Sequence, residues 1–157
     1  MKKLSFLFSL LALPCLAHSQ IVVGYVESVR LVTTDRVIDA KIDTGADNSS
    51  IHSPDQEPFE KNGEKWLRFS VPVNNAVNTM VEAPILRTTK IKRLLGFSQF
   101  RYVVALDICI AGEMKTVETS LVDRTGFNYP MLIGRSALGN DFFVSPSQDH
   151  LTAPSCP

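Results

Sequence analysis

The 157-residue chain lacks most of the features that would mark a membrane protein, a nucleic-acid binder or a metalloenzyme. Its longest apolar stretch, residues 4–16, is too short for the ~20 residues that a helix needs to span a bilayer. The 16 Lys and Arg are balanced by 16 Asp and Glu, which leaves no basic surplus to neutralise phosphates, so no nucleic-acid partner is expected. Three histidines are present, and none belongs to a His-Glu-x-x-His pattern, so no zinc or other metal is expected. A Gly-x-x-x-x-Gly-Lys-Ser/Thr loop for ATP phosphates is also missing, and no cofactor is expected. Long amphipathic helical patterns are nearly absent too, with one short helical turn expected over residues 136–139.

The first residues read as an export signal. Met1-Lys2-Lys3 is a basic start, and the apolar run that follows is broken only by Ser5, Ser9, Pro14 and Cys15. Ala17-His18-Ser19 then supplies small residues at the positions a signal peptidase reads. Pro14 directly before Cys15 is a poor match to lipoprotein processing, so cleavage is expected after Ser19. The remaining 138 residues, 20–157, form a single domain with 14 basic and 16 acidic side chains, a net charge of −2. A periplasmic or secreted location is expected, with no integral membrane span once the signal is removed. Two cysteines stay behind. Export permits a Cys109–Cys156 bond, but two cysteines are no disulfide scaffold. The favoured reading is unpaired, with Cys109 as a buried small hydrophobe in its apolar run and Cys156 as a free thiol beside the C-terminus.

What is present reads as β. Residues 21–32 are rich in Val, Ile and Tyr, and residues 36–42 alternate Ile38, Ala40 and Ile42 against Val37, Asp39 and Lys41. Residues 66–73 alternate again, with Leu67, Phe69 and Val71 on one face. Residues 102–110 and 115–122 are further strands, and residues 131–133 and 142–144 are short apolar ones. Asn62-Gly63 and Ala111-Gly112 are hairpin turns, and residues 126–130 form a loop. Closely spaced strands of this kind predict an all-β barrel or sandwich.

Chemistry is concentrated where the apolar strand Ala40-Lys41-Ile42 runs into Asp43-Thr44-Gly45-Ala46-Asp47 and returns through Ser49-Ser50-Ile51. At a strand end Asp43 projects from a tight turn that Gly45 keeps accessible, and Thr44 can hydrogen-bond to a neighbouring strand or a partner copy. The tripeptide alone is a weak signal, because such turns recur in β proteins.

Its surroundings are more specific. The Asp43–Asp47 segment, followed some 85 residues later by Met131-Leu132-Ile133-Gly134-Arg135, resembles the two signatures of retropepsin-type aspartic proteases. The resemblance implies that the second segment packs beneath the active-site loop and that Arg135 pairs with Asp47, a contact suited to a planar guanidinium holding a partly buried carboxylate by two parallel bonds. Gly24-Tyr25-Val26-Glu27, Ser49-Ser50-Ile51-His52, Asp123-Arg124, residues 129–138 and Phe143-Val144-Ser145-Pro146-Ser147 follow in the same order. Over residues 22–151 the chain is similar to a bacterial retropepsin-like family often labelled an ATP-dependent zinc protease, although nothing in its residues supports zinc or ATP. The family implies a closed retropepsin-like (acid protease) barrel with Asp43, Thr44 and Gly45 as catalytic residues. It further implies substrate contacts at Ala46 and Asp47, and structural support from Gly134 and Arg135.

Aspartic-protease chemistry needs two carboxylates around one water. Asp123-Arg124-Thr125-Gly126 comes closest to a second Asp-Thr-Gly, but Arg124 breaks the spacing. A homodimer is therefore expected, with Asp43 from each copy meeting at a two-fold axis and hydrolysing a peptide or protein substrate. Residues 57–67, with Asn62-Gly63, and residues 87–101, with Arg87, Lys90, Lys92, Arg93, Gly96 and Arg101, are the two candidates for a covering flap. Two functions are carried forward, an exported aspartic endopeptidase and a retropepsin-fold module that holds an extended peptide without cutting it. A processing role beside glutamate-ligase-like enzymes is a weaker third idea, by analogy with family members.

Overall fold

The computed structural model describes residues 20–72, 79–92 and 98–157. The expected signal peptide, 1–19, lies outside these residues, as do Arg93 and Gly96 of one flap candidate and Val73 at the end of one expected strand.

Alternating apolar residues set the barrel. In β2 (Val26–Leu31) and β3 (Arg36–Ile42), which pair antiparallel, Val29, Leu31, Ile38, Ala40 and Ile42 all point into one core. β9 (Ser98–Ile110) and β10 (Glu113–Val122) form a long hairpin through Ala111-Gly112, both at positive φ (53° and 81°) as a tight right-twisting turn demands. Val104, Leu106, Ile108, Val117 and Leu121 join the same core. β4 (Ser49–His52) lies parallel to β10, and β11 (Met131–Ile133) slots between β4 and β3. The ring β10-β4-β11-β3-β2-β9 closes through the β9–β10 pairing, and β8 (Arg87–Lys92) adds an edge strand on β9. The domain is thus the expected all-β retropepsin-like closed barrel, with one short helix among the described residues, α1 (Arg135–Leu138), where a single helical turn is predicted.

β5 (Gln56–Lys61), β6 (Glu64–Val71) and β7 (Thr79–Pro84) form a separate sheet, turning at Asn62-Gly63 between β5 and β6. The predicted face Leu67, Phe69 and Val71 is buried, and it adds Val81 and Ala83 to the barrel's core. The strand expected over residues 21–32 is interrupted at Gly24-Tyr25. β1 (Ile21–Val23) pairs instead with β12 (Phe142–Val144) in a parallel two-stranded sheet.

After β12 the chain runs back along β2 as a strap. Tyr25 N–H donates to the Gln148 carbonyl and His150 N–H to the Val26 carbonyl, each at 2.8 Å. Glu27 is fully buried, and its carboxylate accepts from Gly24 N–H (2.6 Å), Leu151 N–H (3.0 Å), Thr152 N–H (3.1 Å) and the Thr152 hydroxyl (2.9 Å). Arg30 donates to the carbonyls of Pro154 and Cys156. A Cys109–Cys156 disulfide then closes the strap, with Cα atoms 5.9 Å apart. This corrects the unpaired reading. Cys109 is indeed buried, but the strap delivers Cys156 to it, a placement no local pattern shows. Cys109→Ser/Cys156→Ser is expected to lower unfolding stability by about 2–4 kcal/mol through the freed loop. Denaturant midpoints of the two proteins measure this, and equal midpoints would contradict it.

The strap also carries a charge-dependent clasp. His150 reaches Asp39 on β3 (3.1 Å) and its neighbour Asp149 (3.2 Å), and the hydrogen bond to Asp39, then that to Asp149, raises its pKa above the ordinary 6.5. A histidine raised in the folded state stabilises fully below its unfolded value and loses that contribution as pH climbs through the folded one. The ring is half exposed, so solvent screening keeps the contribution small. Thermal melts of wild type and His150→Gln should differ at mildly acidic pH and converge at mildly alkaline pH.

Candidate active site

The loop 43–48 connects β3 to β4, and β11 lies between these two strands in the sheet. At the end of β3 the Asp43 carboxylate accepts from Gly45 N–H at 2.9 Å, and Ala46 N–H returns to the Asp43 carbonyl at 3.3 Å. A short polar side chain bonding the backbone two residues on tightens the turn. Asp43 is half-buried, whereas Thr44 and Gly45 are exposed.

The Gly134-Arg135 segment holds this loop from below. Asp43 N–H donates to the Ile133 carbonyl (2.9 Å), Arg135 N–H to Ala46 (2.9 Å) and Ser136 N–H to Asp47 (3.0 Å). Gly134 N–H donates to the buried Ser49 hydroxyl at 3.1 Å. A Cβ on Gly134 would lie 2.7 Å from the carbonyl carbon and oxygen of Asn48 and 2.9 Å from the Asp47 carbonyl oxygen, so only glycine lets the two backbones touch. Arg135 donates through Nη1 to the Thr44 carbonyl (2.9 Å) and through Nη2 to the Asp47 carboxylate (3.2 Å). The predicted pair therefore forms, but the guanidinium divides its fork between a carbonyl and a carboxylate. It does so in the open, with both side chains at least half exposed, rather than doubly gripping a partly buried acid.

Asp43 through Asp47, Gly134 and Arg135 are thus assembled in one place. Asp123 is engaged elsewhere, accepting from the Thr125 hydroxyl (2.6 Å) and N–H (2.9 Å) within its own turn, and these bonds hold its carboxyl below the usual range.

Comparison with known proteins decides the family. The model of the RimB-like family, retropepsin-like aspartic endopeptidase RimB, matches residues 22–154. The chain belongs to that family. A solved Legionella pneumophila protein of unknown function is 32% identical, with a TM-score of 0.76 over 86% of this chain and 100% of its own. A Shewanella pealeana protein named probable alpha-L-glutamate ligase is 37% identical over 71% of this chain, and a Parasynechococcus marenigrum protein of the same name is 30% identical over 72%. This RimB-like chain spans about a quarter of the length of those curated relatives, 25% in both cases.

A cleft of about 370 Å³ is lined by Tyr25, Lys41, Arg124, Phe127, Asn128 and Tyr129, with Lys41 on β3 two residues before Asp43. Sequence reasoning named Tyr25, Arg124 and Tyr129 only as parts of motifs and gave them no place in a site. Among the described residues no cluster of three or more His, Cys, Asp or Glu could hold a metal ion, and no helix is long and apolar enough to cross a membrane. His52 sits on β4 and accepts the Arg124 backbone N–H at Nδ1 (2.9 Å), a packing role beside the loop.

Proposed function

We propose that this chain is an exported aspartic endopeptidase that works as a homodimer, with Asp43 of each copy sharing one water and one proton. The observation that carries the reading is the single, backbone-locked Asp43-Thr44-Gly45 turn, exposed at its tip and clamped from beneath by Gly134 and Arg135. A lone carboxylate cannot act as base and acid at once, so the chemistry calls for a second copy of it. Two carboxylates close together cannot both ionise easily, and the pair holds one proton between them. The ionised member takes a proton from the water as it attacks the scissile carbonyl, and the protonated member donates to the carbonyl oxygen. The C–N bond of the resulting gem-diol then breaks as the first carboxyl passes its newly gained proton to the leaving nitrogen. The second takes a proton back from a gem-diol hydroxyl, which leaves an acid, an amine and the dyad with one proton again.

An apolar face flanks Thr44 and supports assembly there. The cleft of about 340 Å³ beside Thr44 and Arg135 is walled by Leu138, Phe142 and Phe143, and Val22 and Phe143, register partners on β1 and β12, are 52% and 58% exposed. Apolar side chains left in water next to the catalytic tip suit a second copy. The Cys109–Cys156 bond accords with an oxidising compartment, and so with export. The cationic Lys41 and Arg124 of the cleft that adjoins the end of β3, together with the ligase name of the longer relatives, make acidic peptides the first substrates to try.

The test is cleavage profiling of residues 20–157 with a mixed peptide library, alongside sedimentation of the same protein. Cleavage by a dimer is expected. A monomer that binds extended peptides without cutting them would replace this reading with the binding module.

A further inference from the structure

The Gly24-Tyr25-Val26-Glu27 segment has no part in the chemistry assigned to Asp43. Its glutamate is nevertheless fully buried, a rare place for an acid that has no cation beside it. The four partners of Glu27 are uncharged donors. Oε1 accepts from Gly24 N–H (2.6 Å) and Leu151 N–H (3.0 Å), and Oε2 from Thr152 N–H (3.1 Å) and the Thr152 hydroxyl (2.9 Å). A carboxylate has acceptor sites for all four. A single oxygen thereby joins the turn before β2 to the C-terminal strap, two pieces of chain far apart in sequence.

Tyr25 lies where these two pieces meet. Its N–H donates to the Gln148 carbonyl of the strap (2.8 Å), and its carbonyl accepts from Ile42 N–H on β3 (2.9 Å). Its hydroxyl donates to Asp149, the next strap residue, at 3.2 Å. Two of these three bonds go to the strap, so the ring is held in place only while the strap is docked. That ring is 37% exposed and lines the cleft of about 370 Å³ together with Lys41, whose register partner is Val26. The loop 43–48 is supported differently, through Ile133, Arg135 and Ser136, and takes none of these backbone bonds from the strap.

We propose that Tyr25 is a peptide-contacting wall of the cleft that determines specificity, and that Glu27 is its positioning residue, a buried carboxylate that docks the strap holding the ring. The proposal deepens the endopeptidase reading and rests on it for the ligand, a peptide. The docking itself belongs to the free protein and is measurable without substrate.

The experiment compares wild type, Glu27→Gln, Tyr25→Ala and the double variant. Amide hydrogen exchange is measured first, then cleavage kinetics with the best peptide of the mixed library. In Glu27→Gln the amide keeps one acceptor oxygen, but whichever way it turns its NH2 faces at least one backbone N–H. Exchange at Tyr25 N–H should quicken about 10-fold or more, while the amides of the β9–β10 hairpin stay as in wild type. KM should rise roughly 3- to 10-fold with little change in kcat, because the Asp43 loop keeps its own support. Tyr25→Ala should raise KM as much, and the double variant no further, since Glu27 acts through Tyr25. Cys109→Ser/Cys156→Ser loses stability but keeps the Glu27 bonds, so its KM should match wild type.

Additive losses in the double variant, a quickening spread evenly over the barrel, or a KM raised equally by loss of the disulfide would each overturn the proposal. Should Glu27→Gln fail to fold, Thr152→Val removes the hydroxyl donor and leaves the carboxylate in place. A quickening of about 2-fold at Tyr25 N–H is then expected, and none overturns the proposal. A wild-type protein that cleaves no peptide sinks the endopeptidase reading alone. Dissociation constants of the same peptides then take the place of KM, and exchange at Tyr25 still decides whether Glu27 docks the strap.

Discussion

Asp43→Asn is expected to abolish peptide cleavage while leaving the melting temperature and the assembly state unchanged. The substitution is nearly isosteric, and an amide oxygen can still accept the Gly45 N–H that the carboxylate accepts at 2.9 Å, so the turn keeps its shape. What the amide cannot do is take a proton from water. In a dimer both copies carry the change, so neither a base nor a sharable proton remains. General acid–base catalysis contributes ~10²–10⁴-fold per positioned group, so a fall in kcat/KM of about 10³-fold or more is expected. Kinetics and thermal melts of the same preparation check it. Cleavage at the wild-type rate would remove Asp43 from the chemistry.

Gly134→Ala should cost both fold and activity. The added methyl meets three backbone atoms at 2.7–2.9 Å, carbonyl groups of Asn48 and Asp47 that cannot swing aside as a side-chain tip could. Overpacking of this kind costs about 1–3 kcal/mol. Here the only relief is to lift the loop 43–48 off β11, stretching the Arg135 and Ser136 N–H bonds to it. Gly24→Ala is the matched control. Its Cβ would lie 2.5 Å from the Gln148 carbonyl oxygen, an equally severe clash, but one that displaces the C-terminal strap rather than the loop 43–48. Denaturant midpoints should fall for both variants, whereas kcat/KM should collapse for Gly134→Ala alone. Equal losses of activity would mean that Gly134 acts only through global stability.

The strands legible in the sequence are those with one buried face. Ile38, Ala40 and Ile42, or Leu67, Phe69 and Val71, announce themselves because a half-buried strand must repeat every two residues. β5 and β8 announce nothing. Gln56–Lys61 is exposed or half-exposed along its length and carries Pro58, and β8 is a polar Arg-Thr-Thr-Lys-Ile-Lys edge. Edge strands have little to bury, so the alternation that marks a strand is missing from them. Within the site, Asp43-Thr44-Gly45 and Gly134-Arg135 were legible because each is a contiguous motif with a fixed local task. Glu27 left only a faint signal, a lone acid among Val26, Val29 and Leu31, and apart from Gly24 its partners lie more than 120 residues away.

The sequence by itself determined the β character, the two glycine-bearing hairpins and the loop that bears the aspartate. These follow from side-chain periodicity and backbone permissiveness, which act over a few residues. Only the tertiary structure decided that β11 enters between β3 and β4, that the strap brings Cys156 to Cys109, and that Arg124 lies buried in one cleft with Lys41 of β3. Each of these joins residues far apart in the chain. Which distant partners meet is settled by the burial and hydrogen bonding of the whole barrel at once, and no short stretch of sequence contains that sum. The lack of net basic charge, of metal-binding histidine patterns and of long helices excluded other classes of protein, and what is left is a barrel whose candidate site depends on those long-range meetings.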